Sequence, residues 1–219
     1  MGPFHPKFED LPTEFAVFPL TGALLLPRGK LPLNIFEPRY LAMTLDSLAA
    51  GRMFAMIQPD PTAPDAEGGH GLYRIGCLGR LSSFSETDDG RLLITLTGLI
   101  RFTIGAELAM RNGYRRVRAD FSAFTADLGE PRPAMFDRDA MLTALRTYFA
   151  HRGVEANWDA IRRMDDNTLV VTLAMACPFE PAEKQALLEA HSETDRAATL
   201  LALLQMGAAG PDTPAGPVS

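Results

Sequence analysis

Cysteine and histidine are scarce in this 219-residue chain, and neither is arranged as a metal site. The two cysteines, Cys77 and Cys177, each lie in an apolar stretch, which is typical of buried thiols in a reducing compartment rather than of a disulfide scaffold. The four histidines are scattered, and no pair of them and no Cys-x-x-Cys has metal-ligand spacing. We therefore expect no disulfide, no metal and no other cofactor, and a cytoplasmic location.

Long apolar runs are also missing. The longest, residues 169–177 and 197–204, are interrupted by threonine and fall well short of the roughly 20 residues that span a bilayer. The first 11 residues hold charged side chains and two prolines in place of the apolar segment of a signal peptide. We expect neither a membrane segment nor a secretion signal.

Positive charge is in deficit, with 21 basic against 27 acidic side chains, a net charge of −6. The excess acid lies in the second half, because residues 1–122 carry 13 basic and 13 acidic side chains. A chain of this charge repels phosphate backbones at long range. The balance therefore disfavours nucleic acid as a partner.

Signatures of catalysis are absent as well. The single Gly-Lys pair, Gly29-Lys30, is followed by Leu31 rather than by the serine or threonine of a phosphate-binding loop. There is no Gly-x-Ser-x-Gly segment to present a nucleophile. We expect a protein that is not an enzyme and neither hydrolyses ATP nor cleaves peptides.

The period of the hydrophobic pattern changes along the chain and divides it into two parts. Residues 1–122 read as strands separated by turns, with tight turns at Asp89-Gly90 and Asn112-Gly113, and predict an antiparallel barrel with a short helix. Residues 123–206 follow a period near 3.6 and predict an α-helical bundle. The Gly, Pro and Ala tail, 207–219, is predicted to be disordered. The fold class is α+β.

Several local expectations accompany this division. A helix should run from Pro38 to about Ala50, with Leu41, Leu45 and Leu48 packed on the strands. Gly98 should break the strand pattern around it. In the second half, one helix should end at Gly153, Asn157 should cap the next, and Asn167 should cap a helix over residues 168–177.

The most distinctive segment is residues 18–40, FPLTGALLLPRGKLPLNIFEPRY, whose four prolines predict extended pieces and tight corners at the rim of a sheet. It resembles the opening of the Lon protease N-terminal domain, and in particular the free-standing Lon substrate-binding-domain-like proteins of bacteria. The resemblance continues through 76–79 (GCLG), 96–102 (LTGLIRF) and 179–189 (FEPAEKQALLE). One departure is Glu180, where that family usually has a serine cap.

The resemblance implies a PUA-like β-barrel followed by a helical bundle, and a module that holds protein substrates rather than cutting them. Its expected partners are unfolded or partly unfolded protein and peptide clients, together with a protease or chaperone. The ATPase and protease modules of full-length Lon enzymes have no counterpart in these 219 residues.

Two candidate surfaces follow. Apolar and aromatic groups near the rim corners suggest a peptide-binding site that also includes the charged pair Glu37 and Arg39. The alternative is that these residues close the barrel and hold the first helix in place. The peptide candidates are Phe36, Glu37, Arg39, Tyr40 and Phe84. The other surface is a basic cluster that would contact RNA, or would merely form a solvated strand face. Its members are Arg111, Tyr114, Arg115, Arg116 and Arg118.

Overall fold

The computed structural model describes residues 6–65 and 68–209, in which six strands precede or interleave with six α-helices. The strands are β1 (Glu14–Pro19), β2 (Lys30–Ile35), β3 (Met53–Ile57), β4 (Ile75–Glu86), β5 (Leu92–Arg111) and β6 (Tyr114–Asp120). The helices are α1 (Pro38–Ala49), α2 (Arg138–Arg152), α3 (Trp158–Arg163), α4 (Asp166–Ala176), α5 (Pro181–Glu189) and α6 (Glu193–Ala209). Short 3-10 helices cover Phe8–Asp10 and Ser122–Leu128.

The chain forms two compact units. The first comprises residues up to Pro131 together with Met175–Glu189, and the second comprises Arg132–Ala174 together with residues from Ala190 onward. The first unit therefore includes α5 and the Ser122–Leu128 segment beside all six strands. The sequence-based division into domains 1–122 and 123–206 stays a prediction about how the chain folds.

The strands of the first unit follow the order β2-β5-β4-β3-β1-β6. The five from β5 to β6 close into a barrel because β6 returns to pair with β5, and β2 adds an edge strand beside β5. The 20-residue length of β5 allows both pairings, since its first part pairs with β2 and its last part pairs with β6 to close the barrel. Both predicted turns are present, with positive φ at Gly90, Asn112 and Gly113. The α+β fold class is confirmed.

One seam of the barrel is parallel. Val17 of β1 lies opposite Ala55 of β3 in a parallel pair, whereas the other pairs are antiparallel. A parallel pair needs a long crossover, which β2 and α1 provide here. The predicted antiparallel barrel is therefore mixed at this seam.

Aromatic rings fill the middle of the barrel. Phe15 packs edge-on against Phe102 with ring centroids 5.1 Å apart, and Phe121 lies 6.0 Å from Phe15. Such pairs contribute about 0.5–1.5 kcal/mol each beyond the burial of their area. Aliphatic side chains from five strands surround them: Val17, Ala55, Ile57, Leu78, Leu99, Ile100 and Val117.

The helix α1 begins at Pro38 as predicted but buries a different face. Its buried residues are Tyr40, Met43, Thr44 and Ser47, and Leu45 is 54% exposed. The predicted leucine stripe is therefore wrong by about one position around the helix. A polar side chain can occupy this buried face because the Thr44 hydroxyl donates to the Tyr40 carbonyl at 2.8 Å, so the hydroxyl keeps a partner.

Gly98 does not break a strand, because β5 runs through it, although the register against β4 shifts at the neighbouring Leu99. A Cβ at this position would overlap the carbonyl oxygen of Leu26, which lies directly over the strand. The glycine thus permits a close approach of two backbones. Its own amide donates to the Gly29 carbonyl at 2.9 Å, which holds the approaching loop.

A buried arginine joins β5 to later parts of the first unit. The Arg101 guanidinium binds both carboxylate oxygens of Asp127 at 2.9 Å and donates to the Leu188 carbonyl at 3.1 Å. It also stacks over the Phe124 ring, 4.7 Å from the centroid. These contacts explain why α5 and the Ser122–Leu128 segment belong with the strands.

In the second unit, two predicted caps are present and one is wrong. Asn157 accepts from the Ala160 amide and begins α3, and Gly153 ends α2 with a φ of 62°. Asp165, rather than Asn167, caps α4 by accepting from the Thr168 amide at 3.0 Å. The Asn167 amide is engaged elsewhere: its oxygen accepts from the Ala134 amide and its nitrogen donates to the Arg132 carbonyl.

The predicted disordered tail is helical at its start, because α6 continues to Ala209. A Cβ on Gly207 would overlap the Tyr148 ring, so this glycine allows α6 to pack closely on α2. Residues 210–219 lie outside the described residues.

Candidate functional site

The strands β2, β5 and β4 form a three-stranded region with one buried and one exposed face. Along β5, Leu92, Ile94 and Leu96 are buried whereas Leu93 is 46% exposed, as expected from the two-residue period of a strand. We call the face that includes Leu93 the outer face. The register places Asn34 of β2 and Ser85 of β4 on either side of Leu93.

The outer face forms a groove of about 460 Å³, within the range of ligand-binding clefts. An irregularity between Leu81 and Ser83 twists β4 here, and the Ser82 hydroxyl donates to the Thr95 carbonyl at 3.1 Å. Side chains of the outer face that line the groove are Pro32, Asn34, Ser83, Ser85, Leu93 and Thr95.

Three large apolar side chains are exposed at one end of this region. Phe36 follows the last residue of β2, Leu93 is the second residue of β5, and Phe84 lies near the end of β4. They are 60%, 46% and 40% exposed, respectively. The register brings Asn34, Leu93 and Ser85 into one row of the outer face, whereas Phe84 lies opposite Ile94 and projects from the other face of the same sheet end. We call Phe36, Phe84 and Leu93 the apolar sheet end.

The five predicted peptide-binding residues fall into two sets. Phe36 and Phe84 belong to the apolar sheet end. Glu37, Arg39 and Tyr40 build the start of α1: the Arg39 guanidinium lies 2.9 Å from the Glu37 carboxylate and stacks 4.5 Å from the Tyr40 centroid. The Tyr40 ring is buried and packs against Phe18, with centroids 4.1 Å apart. Burial raises the pKa of the Tyr40 phenol above its ordinary value.

Leu93 was not among the predicted residues, although the sequence carries a signal for it. Residues 92–94 are three consecutive large apolar side chains in a predicted strand. Because successive side chains point to opposite faces, at least one of the three must leave the core. Which one leaves depends on the register with β2 and β4, and the hydrophobic pattern does not specify that register.

The predicted basic cluster is neutralised by carboxylates. Arg111 lies 3.2 Å from Asp46, and Arg118 lies 2.7 Å from Glu14, which also pairs with Arg116 at 3.7 Å. These ion pairs cancel much of the field that a phosphate backbone would need.

Two members of the cluster are buried. Arg115 binds both oxygens of Glu107 at 2.7 Å and donates to the His70 carbonyl. The Tyr114 hydroxyl donates to Asp46 at 2.7 Å, and burial together with this carboxylate raises the pKa of Tyr114 to about 12. The cluster serves to hold β6 against its neighbours, and RNA contact by these residues stays a prediction that the ion pairs do not favour.

Other chemistry is sparse in the part of the chain that the structure describes. Both cysteines are buried, and they are not joined in a disulfide. No three His, Cys, Asp or Glu side chains are grouped to hold a metal within residues 6–65 and 68–209. None of the described helices is long and apolar enough to cross a bilayer.

Comparison with solved structures identifies the fold. A Lon N-terminal domain protein from Xanthomonas campestris superposes with a TM-score of 0.58 at 22% identity, covering 87% of this chain and 98% of that one. The N-terminal domain of Mycobacterium avium complex Lon protease gives a TM-score of 0.60 at 17% identity, covering 87% and 97%.

Sequence relatives point the same way. Lon protease of Flavobacterium johnsoniae is 23% identical over 143 residues, which are 63% of this chain and 16% of that protein. Lon protease of Desulfosudis oleivorans is 26% identical over 94 residues, 42% of this chain and 12% of that protein. The chain thus spans less than a fifth of either relative.

The sequence model of the family described as the ATP-dependent protease La (Lon) substrate-binding domain matches residues 14–206, from the first strand of the barrel into α6. This match includes the motifs that carried the resemblance in the sequence. The chain therefore belongs to the family of Lon substrate-binding domains.

Proposed function

We propose that this chain binds unfolded or partly unfolded protein segments at the apolar sheet end, without itself catalysing a reaction. The observation that carries the proposal is the exposure of Phe36, Phe84 and Leu93 at the ends of three adjacent strands. Leu93 lies on the outer face and Phe84 on the opposite face, so a client that wraps around this sheet end contacts both, and exposed apolar groups of this kind commonly mark a binding surface. Burial of such groups by a client stabilises the complex by roughly 25 cal/mol per Å² before ordering costs are subtracted.

The surrounding charges fit a surface that accepts many sequences. The groove is floored by serine, threonine and asparagine side chains with Leu93 and Pro32, so it offers hydrogen bonds and apolar contact without a fixed charge. At its border, Arg91 lies 5.7 Å from the Phe36 centroid and pairs with Asp89 at 2.8 Å.

Membership of a substrate-binding family supports this function, and the clients would be protein chains. We propose that a separate protease or chaperone receives those clients. A cytoplasmic location accords with the two buried thiols.

Binding of fluorescently labelled, unfolded casein to the full chain tests the proposal. We expect Leu93→Ser and Phe84→Ser each to weaken binding severalfold, because both remove apolar contact area from the apolar sheet end. Leu45→Ser is the matched control, since Leu45 is a similarly exposed leucine on α1. Equal loss for Leu45→Ser, or no loss for either sheet-end variant, would contradict the proposed surface.

A further inference from the structure

The outer face has a cationic end opposite its apolar end. Lys30 lies opposite Thr97 in β5, and Thr97 lies opposite Arg80 in β4, so the register places all three on the outer face. Lys30 is exposed, and within the described residues it forms no ion pair. Lys30 and Arg80 therefore flank one end of the groove, each about 4.8 Å from the strand between them.

The opposite end carries acid. Beyond Leu93, the turn between β4 and β5 holds Asp88 and Asp89, and Glu86 ends β4. Arg91 is the cation in this turn, and Asp89 pairs with it at 2.8 Å. The floor between the two ends is uncharged. A bound negative group is thus attracted to the Lys30 end and repelled from the Leu93 end.

The groove also has an open strand edge. β2 stands at one end of the sheet order, and among the described residues it pairs only with β5. An edge strand offers backbone groups to an added extended segment, although Pro32 withholds one donor. This edge favours an extended occupant over a helical one.

We infer that the groove binds an extended peptide segment in which a carboxylate lies about four residues from a large apolar side chain. The carboxylate lies between Lys30 and Arg80, and the apolar side chain contacts Leu93. The spacing follows from the strand: Lys30 and Asn34, the neighbours of Thr97 and Leu93, are four residues apart, about 13 Å at 3.3 Å per residue. This inference rests on the proposed function and specifies which clients it prefers.

The carboxylate has two sources, an acidic side chain or the end of a chain, and three labelled peptides separate them. The first is a blocked seven-residue peptide of threonine and serine with leucine at position 2 and glutamate at position 6. The second replaces glutamate with glutamine. The third keeps no acidic side chain and ends in a free carboxylate four residues after leucine. Fluorescence anisotropy with the full chain measures each affinity.

We expect the glutamate peptide, the free-carboxylate peptide or both to bind about fivefold more tightly than the glutamine peptide at low salt, a difference that 0.5 M salt removes. Lys30→Gln should abolish the difference, and Lys7→Gln, at an exposed lysine outside the groove, should preserve it. An unchanged urea midpoint shows that Lys30→Gln is folded.

Equal affinity of all three peptides for the unsubstituted chain would overturn the inference. If Leu93→Ser still weakened casein binding in that case, the proposed function would stand without the charge preference. If casein bound to the groove while none of the three peptides did, the inference would likewise be wrong.

Discussion

At the scale of single residues, the first unit depends on charged and titratable groups that are removed from water. Arg101 is the clearest case, because its guanidinium is buried with Asp127 and also binds a backbone carbonyl of α5. Breaking a buried pair leaves an uncompensated charge, which costs far more than breaking an exposed pair. The comparison within this chain is Arg118 with Glu14, both partly exposed.

We predict that Arg101→Ala lowers the free energy of unfolding by about 3–5 kcal/mol, because it leaves the Asp127 carboxylate buried without its cation. Arg118→Ala should cost no more than about 1 kcal/mol. Urea unfolding followed by circular dichroism measures both. Equal costs would contradict the structural role of the buried pair.

Alkaline pH should destabilise the fold through Cys177. Burial raises the pKa of this thiol from 9.0 to about 12, so between these values the folded chain keeps a proton that the unfolded chain releases. Stability therefore falls as pH rises from about 9. Burial lowers the pKa of Lys184, which contributes the opposite trend below its ordinary value of 10.5.

The measurement is the urea midpoint from pH 7 to pH 11 for the parent chain and for Cys177→Ala. We expect the variant to be less stable at pH 7, because it leaves a small cavity, but to lose less stability above pH 9. Parallel pH profiles for the two chains would show that Cys177 does not titrate as described.

At the scale of elements, much of the fold was predictable from the sequence. Local signals gave the turns at Gly90 and Gly113, the start of α1 at Pro38 and the start of α3 at Asn157. These signals succeed because proline, glycine and capping side chains act on the backbone within a few residues.

The predictions that were wrong concern features determined by contacts with distant parts of the chain. Leu45 matches a buried stripe by periodicity, yet α1 buries the face with Thr44 and Ser47, and the Thr44 hydroxyl keeps a partner there by donating to the Tyr40 carbonyl. Gly98 resembles a strand breaker, but its role is set by Leu26, 72 positions earlier. No local pattern records either contact.

The close approach at Gly98 gives a prediction for β5. Gly98→Ala should destabilise the chain by several kcal/mol, because its Cβ overlaps the Leu26 carbonyl and backbone cannot move aside cheaply. Gly105→Ala in the same strand is the control, since its nearest neighbour would be 3.2 Å away. Thermal unfolding compares the two, and an equal effect would contradict the close approach.

At the scale of the whole molecule, the candidate site illustrates the same limit. Phe36 and Phe84 were predicted from the sequence because they are aromatic groups near the expected rim corners of the barrel. Leu93 and Lys30 were missed, because their place on the outer face depends on a register among three strands. The peptide and RNA candidates were also distinguishable only in three dimensions, where Glu14, Asp46 and Glu107 prove to neutralise the basic cluster.

The central claim is that clients bind at the apolar sheet end, and site-specific crosslinking tests it most directly. A photoreactive phenylalanine analogue at position 93 or 84 should crosslink to unfolded casein on illumination, and the same analogue at position 45 should give little product. A sample of the folded chain without casein and a competition with excess unlabelled casein establish specificity. Equal crosslinking from position 45, or none from positions 84 and 93, would contradict the account.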